Sequence, residues 1–291
     1  MRPVTPFGFA SLSTGLAAAT DRGLVPLSRL LSEPAPAEVL SLLPAWDDWI
    51  DNVAAAISGY DGPALTEEDA VFLPPVTHRP TVYCAGANYT DHLAEMGGET
   101  APAEPFHFLI PPAALSGHRS VAVRPAKMER LDWEVELAAV IGRRADAVTE
   151  QDALDYVAGY TVANDLSCRD ARAMSVPVFG INWLLSKGWR GLKPLGPALV
   201  PARFVPSPDA LKLRLSVNGE ERQNSSTGRM IFSLPRQIAA LSTLVPLEPG
   251  DLILTGTPAG TAAAHGNRYL VPGDHVVAEI EGVGSLATYI G

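Results

Sequence analysis

In the stretch RLDWEVELAAVIG, residues 130–142, Glu134 and Glu136 stand two positions apart in a segment that otherwise reads as buried strand. Side chains alternate along a strand, so both carboxylates leave on one face, with Val135, Leu137 and Ala139 on the other. Two like charges in such a place repel unless a cation or a proton joins them, which makes a metal site the first chemistry to consider. Taken alone, an E-x-E pair also serves as an ordinary solvated sheet face. A second buried strand is expected over Tyr160 to Ala163, and Asn164-Asp165 falls where it stops. A carboxylate at a strand end can point into a cleft, which makes Asp165 a third ligand. Three carboxylates with no Cys or His beside them select a hard cation, Mg²⁺ or Mn²⁺ with Ca²⁺ as a further option, over a structural zinc.

The second constellation is TVYCAGANYTDHLAEMGG, read as a strand over Thr81 to Ala85, a turn at Gly86, and a short helix capped by Asn88 or Thr90 and ended by Gly97-Gly98. On that helix His92 and Glu95 are three apart and share a face, the geometry of a general base with an orienting carboxylate or of a plain solvated pair. Lys187 and Arg190 are expected in a glycine-punctuated loop, and Arg169 and Asp170 follow Asp165 in one loop, where the plain alternative to a functional role is a mutual surface ion pair. DLILTGTPAG reads as a strand running into a Gly-rich turn with Thr255 and Thr257, able to offer N–H groups and hydroxyls to an anion.

The elements that must hold these groups are mostly strands. Residues 1–74 are expected as a small N-terminal domain with a first strand and turn and a helix over Trp46 to Ile57, where Trp46, Ile50, Val53 and Ile57 recur at helical spacing. The run Leu73 to Pro80, with three prolines, reads as the linker into a catalytic domain over 75–291. A Pro-rich loop (Pro102 to Pro112), a strand near Ser120 to Val123, and a helix framed by Thr149 and Asp152, with Leu154 and Val157 on its buried side, come next. Then follow a hairpin about Asn218-Gly219 and a helix opened by Ser233 and Pro235 with Ile238, Leu241 and Leu244 in the core. Two Pro-Gly-Asp turns, at 249–251 and 272–274, each launch a strand.

Composition narrows the function classes. With 291 residues and 47% hydrophobic content the chain can bury a full core, and its net charge of −10 argues against a nucleic-acid partner, because phosphate binding needs a basic face. Two distant cysteines, Cys84 and Cys168, offer no disulfide framework and suit a reducing compartment, so the cytoplasm is the expected location. The opening twenty residues lack the compact apolar core of a signal peptide, no run suits a membrane span, and the sequons at Asn88 and Asn224 then carry no meaning.

The ordered set CAGANYTDHLAEM, LDWEVELAAVIG, GYTVANDLSCRD, NWLLSKGWRGLKPLGP, VNGEERQ and LEPGDLILTGTPAG, closed by PGD-led last strands, resembles the fumarylacetoacetate hydrolase family over roughly residues 73–291. The resemblance implies an α/β, β-rich fold: a mixed β-roll catalytic domain behind a small N-terminal domain, assembled as a homodimer. It implies Mg²⁺ or Mn²⁺ on Glu134, Glu136 and Asp165, a His92-Glu95 dyad on a lid helix, and Lys187 against the substrate. Tyr89, Ile110, Arg169, Arg190 and Thr257 complete the expected substrate contacts. The implied reaction is cleavage of a C–C bond beside a carbonyl in a β-diketo acid of the acylpyruvate or fumarylpyruvate type. There a divalent Lewis acid stabilises enolate charge, His92 takes a proton from water, and Lys187 neutralises the oxyanion. The same metal without water attack would serve decarboxylation or keto-enol isomerisation of an oxaloacetate-like or hydroxy-dienedioate acid. A catalytically silent binding protein of the same fold is the reading from outside enzymology. Two departures stand out: FHFLIP where family members often read FFLKP, leaving Ile110 in place of Lys, and KGWR where they often read KSFD, leaving Arg190 in place of Asp. Both are expected to face the distal group of the substrate.

Overall fold

The computed structural model describes residues 7–31, 34–98 and 100–291. Its frame is a ten-stranded mixed sheet and a five-stranded sheet, neither closed into a barrel. The large sheet is centred on Val135–Ile141, which pairs antiparallel with Val157–Asn164 on one side and Leu252–Leu254 on the other. Every residue of Val135–Ile141 and of Val157–Asn164 is buried, as expected of strands covered on both faces.

The two faces of the central strand serve two cores. Val135, Leu137, Ala139 and Ile141 pack with Leu213, Leu215, Val276 and Ala278 of the five-stranded sheet. Ala138 and Val140 pack with Phe9, Ile50 and Val53 from the N-terminal part of the chain. Glu134 and Glu136 share the parity of Ala138 and Val140, so the carboxylates stand on the face that the first seventy residues help to cover.

The helix expected from Trp46 runs Trp46–Ser58 and buries Ile50, Val53 and Ala54. Strand Gly8–Leu12 adds directly to Lys193–Pro201, with Phe9 opposite Leu199, and Trp46 donates its ring N–H to the Ala158 carbonyl at 2.8 Å. The residues before 75 therefore extend the same sheet and core as those after it. The Asn218-Gly219 hairpin forms with φ of 53° and 81°, the left-handed pair that a two-residue turn requires.

Several local expectations give way to tertiary demands. The Pro102 to Pro112 loop contains the strand His107–Ile110, because Val82–Ala85 has a free edge and takes it as an antiparallel partner. Thr149 and Asp152 do exchange hydrogen bonds, but the segment closes only the 3₁₀ turn Ala153–Tyr156 before Val157 enters the sheet. Leu244 ends the helix Leu234–Leu244 and is 79% exposed, one turn past its last core contact, whereas Ser233 caps that helix as expected. Neither Asn88 nor Thr90 caps the helix Thr90–Glu95. Asn88 instead clamps two other loops, donating to the carbonyls of Thr255 and Phe232 and accepting from the Phe232 N–H. Among the described residues no helix is long and apolar enough to cross a membrane.

Candidate active site

Sheet register assembles the carboxylates. Glu136 lies opposite Ala163 and Val135 opposite Asn164, so the chain leaving the second strand brings Asp165 beside Glu134, whose carbonyl accepts the Asp165 N–H at 2.9 Å. One oxygen from each of Glu134, Glu136 and Asp165 lies within 4.8 Å of the others, and all three residues are buried. The Gly-rich turn supplies the anion contact expected of it, to a protein carboxylate: the Gly256 N–H donates to Glu136 at 2.8 Å. Gly256 has φ of 93°, and a Cβ there would meet the Asn88 side chain at 2.9 Å, so glycine permits both the conformation and the approach. Thr255 and Thr257 donate their hydroxyls to the Leu137 and Val135 carbonyls, fastening the turn to the central strand.

Cations surround the triad. Lys187, at the end of the helix Trp183–Lys187 and not in a loop, places Nζ 2.6 Å from both Glu134 and Asp165. Lys193 lies 2.6 Å from the other Asp165 oxygen and donates to the Leu166 carbonyl. Arg169 and Asp170 do not pair with each other. Arg169 bridges Asp132 and Glu134, while Asp170 accepts the backbone N–H groups of Glu129 and Arg130. Sequence reading passed over Asp132 and Lys193. Asp132 had a signal, since it continues the same parity as Glu134 and Glu136. Lys193 had none, because its KPLGP context reads as a turn and not as the buried strand Lys193–Pro201.

The charges do not cancel. With every group ionised, Asp132, Glu134, Glu136 and Asp165 against Lys187, Lys193 and Arg169 would leave one surplus negative charge in a buried cluster. Burial, together with Asp165 and Glu134, pushes the Glu136 carboxyl well above its ordinary range. Burial would raise Asp165 too, but Lys187 and Lys193 outweigh it and hold that carboxyl low. Burial opposes the charge on Lys187, yet Asp165 and Glu134 keep it firmly protonated. Converging oxygens, no sulfur or nitrogen donor in the trio, and an under-compensated Glu136 fit a hard divalent cation. Such an ion would turn the surplus from one negative to one positive charge, the complement of a monoanionic keto acid.

The dyad forms as its spacing foretold. His92 Nδ1 is 2.8 Å from Glu95, whose other oxygen accepts the Gly260 N–H at 2.8 Å, while the Thr261 hydroxyl bonds the first at 3.1 Å. Burial would raise the Glu95 carboxyl, but these three partners draw it below its ordinary value. Glu95 thus holds the ring through Nδ1 and leaves Nε2 outside the dyad contact.

His92, Glu134, Glu136, Arg169, Lys187 and Thr257 line one cavity of about 470 Å³. Tyr89, Ile110 and Arg190 do not line it: Tyr89 and Ile110 are buried in the core and Arg190 is exposed. The two sequence departures thus lie away from the cavity, contrary to the expectation that they face the substrate. A larger cavity, about 780 Å³, lies between residues 40–47 and 142–158 and holds none of the candidate ligands, so the chemistry and not the volume picks out the site.

A strand-rich mixed fold with three clustered, buried carboxylates, two of which line one cavity with a histidine, defines a metal-dependent enzyme class. Within it, the chain belongs to the fumarylacetoacetate hydrolase family, whose C-terminal region matches residues 81–290. A 4-hydroxyphenylacetate degradation bifunctional isomerase/decarboxylase of Escherichia coli is 40% identical over 247 residues, 82% of this chain and 55% of that protein. The chain thus spans about half the length of that relative. A mitochondrial oxaloacetate tautomerase of Bos taurus is 41% identical over 223 residues, 76% of this chain and 70% of that protein. Among solved structures, maleylpyruvate hydrolase from Sphingobium sp. SYK-6, in complex with manganese(II) and pyruvate, superposes with a TM-score of 0.79 at 26% identity, covering 97% of this chain and 98% of that one.

Proposed function

We propose that the protein is a divalent-metal-dependent hydrolase that cleaves a C–C bond in a β-diketo acid of the acylpyruvate type, with Mg²⁺ or Mn²⁺ held by Glu134, Glu136 and Asp165. The observation that carries this reading is the 2.8 Å contact of Glu95 with His92, which lines the same cavity as Glu134 and Glu136. When bound, the metal supplies Lewis acidity toward the keto and carboxylate oxygens of the substrate. His92 accepts a proton from water at Nε2, and Glu95 orients the ring and stabilises the imidazolium. Lys187, protonated and fixed by two carboxylates, presents positive charge where the departing oxyanion develops. Arg169 holds Glu134 in place from the opposite side. Cytoplasmic location and a homodimeric assembly belong to the same proposal and are supported by the family resemblance.

A second reading, decarboxylation or keto-enol isomerisation of an oxaloacetate-like acid at the same site, is favoured by the relatives at 40% and 41% identity. The two are separated by assaying acylpyruvates and oxaloacetate with Mg²⁺ or Mn²⁺, with excess chelator, and with His92→Ala. The hydrolase reading expects hydrolysis to vanish with chelator and to fall about 10²- to 10⁴-fold in His92→Ala. Turnover that survives the chelator would falsify the metal mechanism. Decarboxylation that persists in His92→Ala, with no hydrolysis in the wild type, would favour the second reading.

A further inference from the structure

The cavity has a second end that the chemistry above does not use. Beyond the carboxylates and His92 its wall is made by Met96, Phe106, Phe108, Met174, Ile181 and Trp183. These come from the lid helix end, the edge strand, the segment after Asp165 and the helix that carries Lys187, so four parts of the chain converge on one apolar surface. Phe108 and Trp183 stack with centroids 4.2 Å apart and planes within 18°, and Phe106 lies 5.5 Å from Trp183. The stack continues the wall from the buried strand out to the half-exposed rim.

Charge at the two ends is unequal. Among the described residues the only cations lining the cavity are Arg169 and Lys187. Both are already bound to the site carboxylates, Arg169 to Asp132 and Glu134, Lys187 to Glu134 and Asp165. A pyruvate-like head occupies only part of about 470 Å³, so the remainder must take a tail. A second carboxylate in that tail would lose water against aromatic rings and gain no cation, an unfavourable transfer, whereas an alkyl or aryl group would bury apolar surface on both partners. The flat stack suits an aromatic ring in particular.

On the keto-acid reading given above, we propose that the far group of the substrate is uncharged and apolar, an alkyl chain or an aryl ring, and not a second carboxylate. It seats against the Phe106–Phe108–Trp183 wall while the keto-acid head meets the carboxylate end. Phe106 and Trp183 are then specificity residues that leave the head untouched.

Binding can be read without turnover by calorimetry on the Mn²⁺-loaded protein with oxamate, which has the head alone, N-hexyloxamate and N-phenyloxamate, which add apolar tails, and an N-(ω-carboxyalkyl)oxamate of equal length. The expected result is at least about tenfold tighter binding of the apolar-tailed compounds than of oxamate, with no gain for the carboxylate-tailed one. Trp183→Ala and Phe106→Ala should each shrink the apolar advantage several-fold and leave oxamate itself unchanged. Equal or tighter binding of the carboxylate-tailed compound overturns the proposal, as does oxamate binding with no preference among tails, and in both outcomes the metal keto-acid reading survives. Failure of oxamate and every tailed compound to bind removes that reading and this one together.

Discussion

The two ends of one cavity are built on opposite principles. At the carboxylate end seven ionisable side chains interlock within buried strands and turns, six of them held by two or more partners and Glu136 by the Gly256 N–H. At the other end six apolar side chains meet through surface contacts alone, and Met96 and Phe106 are 54% and 48% exposed. Hydrogen-bonded charge in a low-dielectric setting tolerates no adjustment, because each lost partner leaves an unsatisfied charge. Apolar contact is non-directional and accepts changes of shape at modest cost. On the proposed function, the reaction belongs to the first end and the choice of substrate to the second.

Breaking the charged end should have the largest effect. Asp165→Ala removes a ligand oxygen and strands Lys187 and Lys193, and activity should fall about 10³-fold or more, since several kcal/mol of Lewis-acid stabilisation are at stake. Calorimetry should show Mn²⁺ affinity collapsing in parallel, and near-normal affinity would remove Asp165 from the ligand set.

Next comes Lys193, which sits behind the triad at 1% exposure. Lys193→Met leaves Asp165 with one cation fewer in a buried site, and breaking such a pair typically costs about 3–5 kcal/mol, readable as a lower midpoint in urea. Saturating Mn²⁺ should recover part of the loss, because it stabilises the folded form and neutralises the same carboxylate. A variant as stable as wild type would show that Lys193 only fills space.

A smaller effect is expected on the face of the edge strand turned away from the cavity. His107 neighbours Phe106 and Phe108, and its burial lowers its pKa from the ordinary 6.5, with the Gln237 contact opposing. The folded protein then binds a proton less readily than the unfolded chain below pH 6.5, so the contribution of neutral His107 is full above 6.5 and is lost as pH falls through the folded value. Asp165, held low, keeps its contribution above its unfolded value of 3.8 and is lost only in stronger acid. The stability difference between wild type and His107→Gln should shrink as pH falls below about 6.5. A flat difference would mean that His107 is solvated in the folded chain.

The smallest effect is expected at Arg190, where the family resemblance implies an Asp. Arg190 is exposed and outside the cavity, so Arg190→Asp should change kcat/KM for any acylpyruvate by no more than about twofold, in line with surface substitutions within ±0.5 kcal/mol. A larger shift in substrate preference would bring Arg190 back as a substrate contact, and with it a charged component at the distal end.

Much of the charged end was legible because its signals are local. Strand alternation places Glu134 and Glu136 on one face, helical spacing pairs His92 with Glu95, and the strand end at Asn164 exposes Asp165. Arg169 and Asp170 misled for the same reason, since adjacency suggested a pair while each side chain reached a partner 35 to 41 residues away. His107–Ile110 was hidden among prolines because only the free edge of Val82–Ala85 makes it a strand.

The sequence by itself determined the family, the two carboxylates on one strand face and the spacing that joins His92 to Glu95, all of which depend on residue type and short spacing. Tertiary structure alone decided that Lys193 and Asp132 join the cluster, that Ile110 and Arg190 stand apart from the cavity, and that Phe106, Phe108 and Trp183 form one wall. Those outcomes depend on sheet register and on which segments cover which face. Such pairings join residues tens of positions apart, and no local period in the chain encodes them.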